Sequence, residues 1–115
     1  MKTSELTGAA LDWAVAKCEG VINGDDLDVG FILERGYNPS SDWAHGGAII
    51  EREQISIEPF QYDGGWKAEI CRFNSLTWER TTEYGETPLI AAMRCYVASK
   101  LGDEVEVPEE LMSHA

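Results

Sequence analysis

Thr87 and Pro88 open, and Gly102 closes, the best-marked element of the chain. Threonine is a favoured helix N-cap, proline is pre-organised for the first helical position, and glycine after Lys100-Leu101 is a natural stop. Between them Ile90, Met93, Val97 and Leu101 form an apolar stripe, so this helix must bury a side against something else. The partner stands directly upstream. Ile55, Ile57 and Pro59 alternate with polar residues; Trp66–Phe73 reads as a strand with both faces partly covered; a third strand covers about 76–83. Asp63-Gly64 and Asn74-Ser75 are turn signals between them.

The N-terminal half adds more helix. Thr7 caps a segment over 7–19 in which Leu11, Ala14, Val15 and Cys18 follow helical spacing. Leu6 and Leu11 take the positions of a hydrophobic staple, and Gly20 ends the segment. Val21-Ile22 and Gly30–Leu33 read as two short strands around a turn. A further helix starts near Ser41, broken or kinked at Gly46-Gly47, because each glycine costs roughly 1 kcal/mol relative to alanine. The expected architecture is α+β: a small antiparallel sheet of three main strands, with an extra hairpin, packed with two to three helices as a layered single domain over 1–102. Residues 103–115 read as a frayed acidic tail.

With 115 residues the chain can bury a core without disulfides or a metal. Cys18, Cys71 and Cys95 are an odd number without CxxC spacing, which fits reduced thiols in a cytosolic compartment. The opening MKTSELTGAALDW is not expected to act as a secretory signal, and no apolar run reaches the ~18 residues of a membrane span. Nine basic residues face 21 acidic ones, giving a net charge of −12. Such a surface repels phosphate backbones and anionic lipid. It leaves open a basic protein partner, or an acidic decoy that mimics DNA phosphates.

Chemistry-bearing motifs are sparse. P-loop, dinucleotide, nucleophile-elbow and HExxH patterns are missing, and the only histidines are His45 and His114. A calcium loop counted from Asn23 places Leu27 and Asp28 where a ligand and the turn glycine belong, so no metal is expected there. No cofactor and no catalytic residue is assigned. Asp42 and His45, three apart on a helical turn, are placed to interact, but no nucleophile or metal accompanies them. Arg94 lies about 40° from Ile90 and about 20° from Leu101 around the helix, hence beside the buried stripe. Pairing with a carboxylate is its expected role, with anion binding as the alternative. Trp13, Trp43, Trp66 and Trp78 serve packing, a ligand wall or a dimer face.

Three long segments carry a resemblance: LTGAALDWAVAKCEG over 6–20, YNPSSDWAHGGAIIERE over 37–53, and GETPLIAAMRCYVASKLGDEVEVPEEL over 85–111. With Trp66–Ala68 they make the chain similar to the small NinX family of lambdoid phages and enteric prophages. Members often carry Gln and Pro where this chain has His45 and Ala48. A family-wide reaction therefore should not depend on His45, and proline at 48 would fit a helix that begins after the glycine pair. The resemblance implies phage origin and action in the host cytoplasm, and it brings no activity or cofactor.

It also directs emphasis to Tyr37, Asp42, Trp43, Gly46, Gly47, Glu51, Arg52 and Arg94, expected to meet around one groove. The candidate binding residues are Tyr37, Asp42, Trp43, His45, Arg52, Trp66 and Arg94. The function expected first is a non-enzymatic module that binds a host or phage macromolecule, with homodimerisation open to it. Sequestration of a small anionic ligand such as a nucleotide signal is the alternative, with Arg52 and Arg94 as anion contacts and Trp43 for stacking. Neither direct nucleic-acid binding nor membrane binding is expected.

Overall fold

The computed structural model describes residues 1–22, 32, 34–60 and 64–112. Three strands form an antiparallel meander in chain order: β1 (Ser56–Phe60), β2 (Gly65–Asn74) and β3 (Thr77–Gly85). In this register Ala68 faces Ile57 and Glu83 across the sheet, while Ile70 faces Thr81. Because side chains alternate with period two, Ile57, Trp66, Ala68 and Ile70 share one face, and Ala68 and Ile70 are buried. The other face carries Lys67, Glu69, Cys71 and Phe73, and at its far end Phe73 and Trp78 are exposed. Both faces are partly covered, as the sequence suggests: Ala68 and Ile70 are buried on the first, while Lys67 and Glu69 are half-buried on the second and Cys71 and Phe73 are exposed. Ser75-Leu76 closes the β2–β3 hairpin, with Ser75 in the left-handed region. Of the Tyr62–Gly65 turn, Tyr62 and Asp63 lie outside the described residues.

The helices are α1 (Gly8–Glu19), α2 (Trp43–Glu53), α3 (Pro88–Leu101) and the short α4 (Glu109–Met112). The caps of α3 are those its sequence announces. Thr87 Oγ1 accepts from Ile90 N–H at 3.1 Å, and Gly102 N–H donates to the Ala98 carbonyl. Its burial is wider than a stripe: Leu89, Ala91, Ala92, Met93, Cys95, Tyr96 and Val97 are all buried, while Ile90 and Leu101 are only half-buried. The physical reason is position, since α3 packs on the sheet with one side and on α1 and α2 with the other. In α1 burial is likewise continuous from Ala10 to Ala16. Leu6 and Leu11 are fully buried, and Gly20 ends the helix with φ +74°. Thr7 precedes α1 in extended conformation, but its side chain makes no capping bond.

Two expectations are corrected here. Val21 and Ile22 form a bend rather than a strand, and Ile32, Glu34 and Arg35 are helical; the remainder of the 21–33 hairpin lies outside the described residues. More consequentially, α2 is neither broken at the glycine pair nor delayed until after it. It begins at Trp43, with Asp42 Oδ1 accepting from Ala44 N–H at 2.9 Å, and passes straight through Gly46-Gly47. A Cβ on Gly46 would lie 2.3 Å from the Pro39 carbonyl oxygen and 2.6 Å from Leu89 Cδ2. Gly46 is therefore the point where α2 presses on both the preceding segment and α3. That packing outweighs the helix-propensity penalty.

Residues beyond Gly102 also differ from the frayed tail expected. Thr3 N–H donates to the Asp103 carbonyl at 2.8 Å, Val105 N–H donates to Met1 O at 2.9 Å, and the Met1 ammonium donates back to Val105 O at 3.0 Å. Val105 and Leu111 are buried and Val107 packs against the core, so the acidic segment folds back beside the N-terminus.

The two glycines of α2 are thus expected to respond oppositely to the same change. Gly46→Ala should cost about 1–3 kcal/mol in urea unfolding, because backbone must move. Gly47→Ala, whose Cβ would meet only Trp43 at an ordinary 3.5 Å, should stabilise by about 0.5–1 kcal/mol. Equal effects would refute the close-approach explanation.

Candidate functional site

The candidate residues fall on several surfaces rather than around one groove. Tyr37, His45 and Arg52 come together. His45 and Arg52 are seven residues apart on α2, hence on nearly the same face. The Tyr37 and His45 rings stack with centroids 5.7 Å apart and 24° between planes. They line a shallow depression of about 270 Å³ with Glu19, Val21, Ala44, Ala48 and Ile49. Burial pushes the Tyr37 phenol up to about 12. Asp42 stays at the helix start as its cap, with Oδ2 3.8 Å from His45 Nδ1 and both side chains about half exposed.

Arg52 is already occupied. Its Nη1 and Nη2 grip the two carboxylate oxygens of Glu19, its Nε donates to Glu53 Oε2 at 2.8 Å, and Nη2 also reaches the Tyr96 hydroxyl at 3.2 Å. Tyr96 in turn donates to Glu19, and Arg72 Nη2 donates to Glu53 Oε1 at 2.6 Å. The Arg52 guanidinium holds the Glu19 carboxyl below the usual carboxylate range; Arg52 and then Arg72 do the same for Glu53. The result is a clamp joining α1, α2, α3 and β2, with its guanidinium committed to protein groups.

Trp43 projects on another side of α2, 57% exposed, beside Ser40, Ser41, Thr87 and Pro88. Trp66 is half-buried on the covered face of β2 and packs against the core. Arg94 sits apart from all of these. Its Nε donates to the Leu6 carbonyl and its Nη1 to the Tyr84 carbonyl, both at 2.8 Å. Its expected carboxylate partner is thus replaced by two backbone acceptors, because the guanidinium emerges where the entry to α1 meets the end of β3. Glu83 and Glu86 supply negative charge nearby, against the burial that works to lower Arg94. The surrounding cavity, about 370 Å³, is lined by Ser4, Gly64, Gly65, Glu83, Tyr84, Gly85, Glu86 and Arg94.

Two features escaped the sequence. The first is Asp12, buried in the middle of α1, whose Oδ1 accepts from Ser40 N–H at 2.9 Å. It latches α1 to the segment that Gly46 contacts. Burial pushes its carboxyl up to about 6, partly offset by the Ser40 hydrogen bonds. Its signal was a lone acid between Leu11 and Trp13.

The second is the open face of the sheet. Phe73 and Trp78 pair across the β2–β3 hairpin with ring centroids 5.2 Å apart, 59% and 71% exposed, next to Leu76 at 91%. Phe60 and Tyr84 form a second aromatic pair at 4.9 Å. Between the two pairs Lys67 meets Glu58 at 3.5 Å and Arg80 meets Glu69 at 3.4 Å, so charge nearly cancels there. The alternation of Lys67, Glu69, Cys71 and Phe73 contained this face, but not that it would lack a covering layer.

Burial pushes the Cys18 and Cys95 thiols up to about 12, so neither is an activated nucleophile. Among the described residues no three His, Cys, Asp or Glu side chains gather to hold a metal, and no helix is long and apolar enough to cross a membrane.

Compared with known proteins, residues 2–100 match the family model described as Bacteriophage P22, NinX. None of the curated proteins matches the chain.

Asp12 gives this architecture a pH signature. Its folded carboxyl binds a proton more tightly than the unfolded one, so its contribution is fully present below about pH 4 and is lost as pH rises to about 6. The Asp12 contribution, read as the difference in urea stability from a variant that cannot ionise there, should fall by on the order of 2–3 kcal/mol across that window and then level off. Asp12→Asn, which keeps an acceptor for Ser40, should lack this fall. An equal fall in the variant would exclude Asp12 as its source.

Proposed function

Because the chain belongs to the bacteriophage P22 NinX family, we propose that it is a phage accessory protein that works by binding another protein rather than by catalysis. The observation that carries this reading is the Phe73–Leu76–Trp78 tip, a cluster of large apolar side chains that the fold leaves uncovered. Buried elsewhere, such residues would stabilise the domain by about 1.5–3 kcal/mol each; exposed together, they mark a contact surface. Aromatic anchors at the centre of an interface commonly dominate its affinity.

The charge pattern says what the partner is like. The chain carries −12 overall, whereas the ion pairs on the open face are balanced. A complementary surface presents an apolar patch that receives Trp78, ringed by basic groups that the acidic surroundings attract. A second copy of the chain would bring −12 against −12, so a basic host or phage protein fits better. Three free cysteines suit a reducing host cytoplasm as the place of encounter. The decoy of DNA draws on the same charge but leaves the aromatic tip without a role.

A photo-crosslinking amino acid placed at position 76, with another at exposed position 43 as a control, tests this in host cells during phage infection. The expected result is one discrete, basic protein crosslinked from position 76 and not from 43. Trp78→Ala should weaken that complex at least about tenfold. The adduct yield should also fall with ionic strength. Crosslinks to a second copy, to nucleic acid, or equally from both positions would overturn the proposal.

A further inference from the structure

Trp78 lies on the last strand of the sheet, and the register fixes which backbone groups that edge presents. The two-residue loop Ser75-Leu76 makes Asn74 and Thr77 a hydrogen-bonded pair. Pairs then alternate down the ladder, so Glu79, Thr81 and Glu83 direct their N–H and C=O groups to β2. Trp78, Arg80, Thr82 and Tyr84 turn theirs outward. Two separate contacts agree with this parity. The Tyr84 carbonyl accepts from Arg94 Nη1, outside the sheet. At the opposite edge the same alternation turns Pro59 of β1 outward, where its missing N–H removes no ladder bond.

The two edges therefore differ. β1 is five residues long and blunted by Pro59, whereas β3 is nine residues long, without proline or lysine. Thr77–Arg80 are all exposed. Among the described residues no backbone hydrogen bond reaches Trp78, Arg80 or Thr82 from outside the sheet. Side chains on β3 are sorted by face: Glu79 and Glu83 on the side of α3, Trp78 and Arg80 on the open side. Arg80 is already paired with Glu69.

Resting on the docking reading above, we propose that the basic partner adds an extended segment to β3 as a fourth, antiparallel strand. It exchanges backbone hydrogen bonds with Trp78, Arg80 and Thr82 and ends before Tyr84, whose carbonyl Arg94 holds. In an antiparallel pair, residues that exchange these bonds share a face with the residues opposite. The bonded residues of the segment thus lie on the open side with Trp78, and they are apolar. Its intervening residues lie beside Glu79 and toward Glu83, where acids select lysine or arginine. An alternating apolar–basic strand is the class of sequence this edge recognises. Backbone bonds supply its affinity and alternate side chains its specificity.

The test uses the ¹⁵N-labelled full chain and a capped octapeptide of alternating valine and lysine, read by amide hydrogen exchange. In the free chain the Trp78, Arg80 and Thr82 amides should exchange at least about tenfold faster than those of Glu79, Thr81 and Glu83. Saturating peptide should slow the first three at least about tenfold and leave the others unchanged. N-methylation of the valines should abolish this effect, whereas N-methylation of the lysines should preserve it. A valine–glutamate octapeptide should bind at least about tenfold more weakly. Equal exchange in the free chain, no protection by the valine–lysine peptide, or protection that survives valine N-methylation overturns the proposal. So does protection that rises with protein concentration alone, which would identify a second copy. The two proposals fail separately. A protein crosslinked from position 76 whose complex leaves these amides unprotected keeps the docking reading and removes strand addition; peptide protection without that crosslink does the reverse.

Discussion

Burial of α3 on both sides is the constraint from which the remaining structure follows. The sheet packs on one side of this helix and α1 and α2 on the other. Both layers come close because each brings a glycine to the contact. On the sheet side a Cβ at Gly85 would lie 2.6 Å from the Ala91 nitrogen, and on the helix side one at Gly46 would lie 2.6 Å from Leu89 Cδ2. Ala91 and Ala92, both fully buried, keep the helix surface low along this contact. Arg94 adds a polar anchor from the same helix, holding Leu6 ahead of α1 and Tyr84 near the end of β3. A middle layer of this kind cannot be amphipathic, and α3 is not.

The ion pairs play a different part from the core. The clamp of Arg72, Glu53, Arg52, Glu19 and Tyr96 joins elements distant in sequence, but Arg52 and Arg72 remain about half exposed. Exposed pairs contribute about 0–1 kcal/mol each, so the clamp adds less stability than the burial beneath it. Its value lies in geometry: a bidentate grip on Glu19 and shared use of Glu53 favour one seating of α2 against α1 and β2. Asp12 acts in the opposite sense. Its Ser40 hydrogen bond positions the segment before α2, at a cost set by taking a carboxylate out of water.

Which features could be read from sequence depends on the range of the interaction that causes them. Thr87, Pro88, Gly20 and the turn around Asn74-Ser75 act within a few residues, and they placed α1, α3 and the meander. Gly46 misled because its propensity penalty is local, whereas the contact with Pro39 and Leu89 that requires it is tertiary. Val105, Val107 and Leu111 were masked by the surrounding acids, although they supply the apolar surface that seats the C-terminal segment. Arg94 was correctly placed at the edge of the core, but helical geometry gives direction and not partner. For the candidate site, the neighbourhood of Asp42 and His45 was legible from their spacing, as were the positions of His45 and Arg52 on one helix face. That Glu19 occupies Arg52, and that Phe73 and Trp78 stay exposed, depend on how layers stack.

The distribution of positive charge connects this architecture to recognition. Lys67, Arg52, Arg72 and Arg80 are ion-paired, and Arg94 is bound to carbonyls. Lys17 and Lys100 lie over the rings of Trp13 and Tyr96, at 5.4 and 5.9 Å. Much of the small basic complement is therefore drawn into internal contacts, and the acidic excess faces outward. Its field reaches about a Debye length, ~8 Å in physiological salt, and favours encounter with basic surfaces without selecting among them. In the proposed complex selection then falls to short-range contact, and the open sheet face is suited to it, with tilted aromatic pairs at its ends and charges already paired between them. A −12 protein that placed unpaired acids on that face would pay desolvation on docking; one that places Phe73 and Trp78 there gains apolar burial instead. Long-range charge and short-range shape are thus assigned to different parts of the surface, each able to change without disturbing α3 and the layers packed on it.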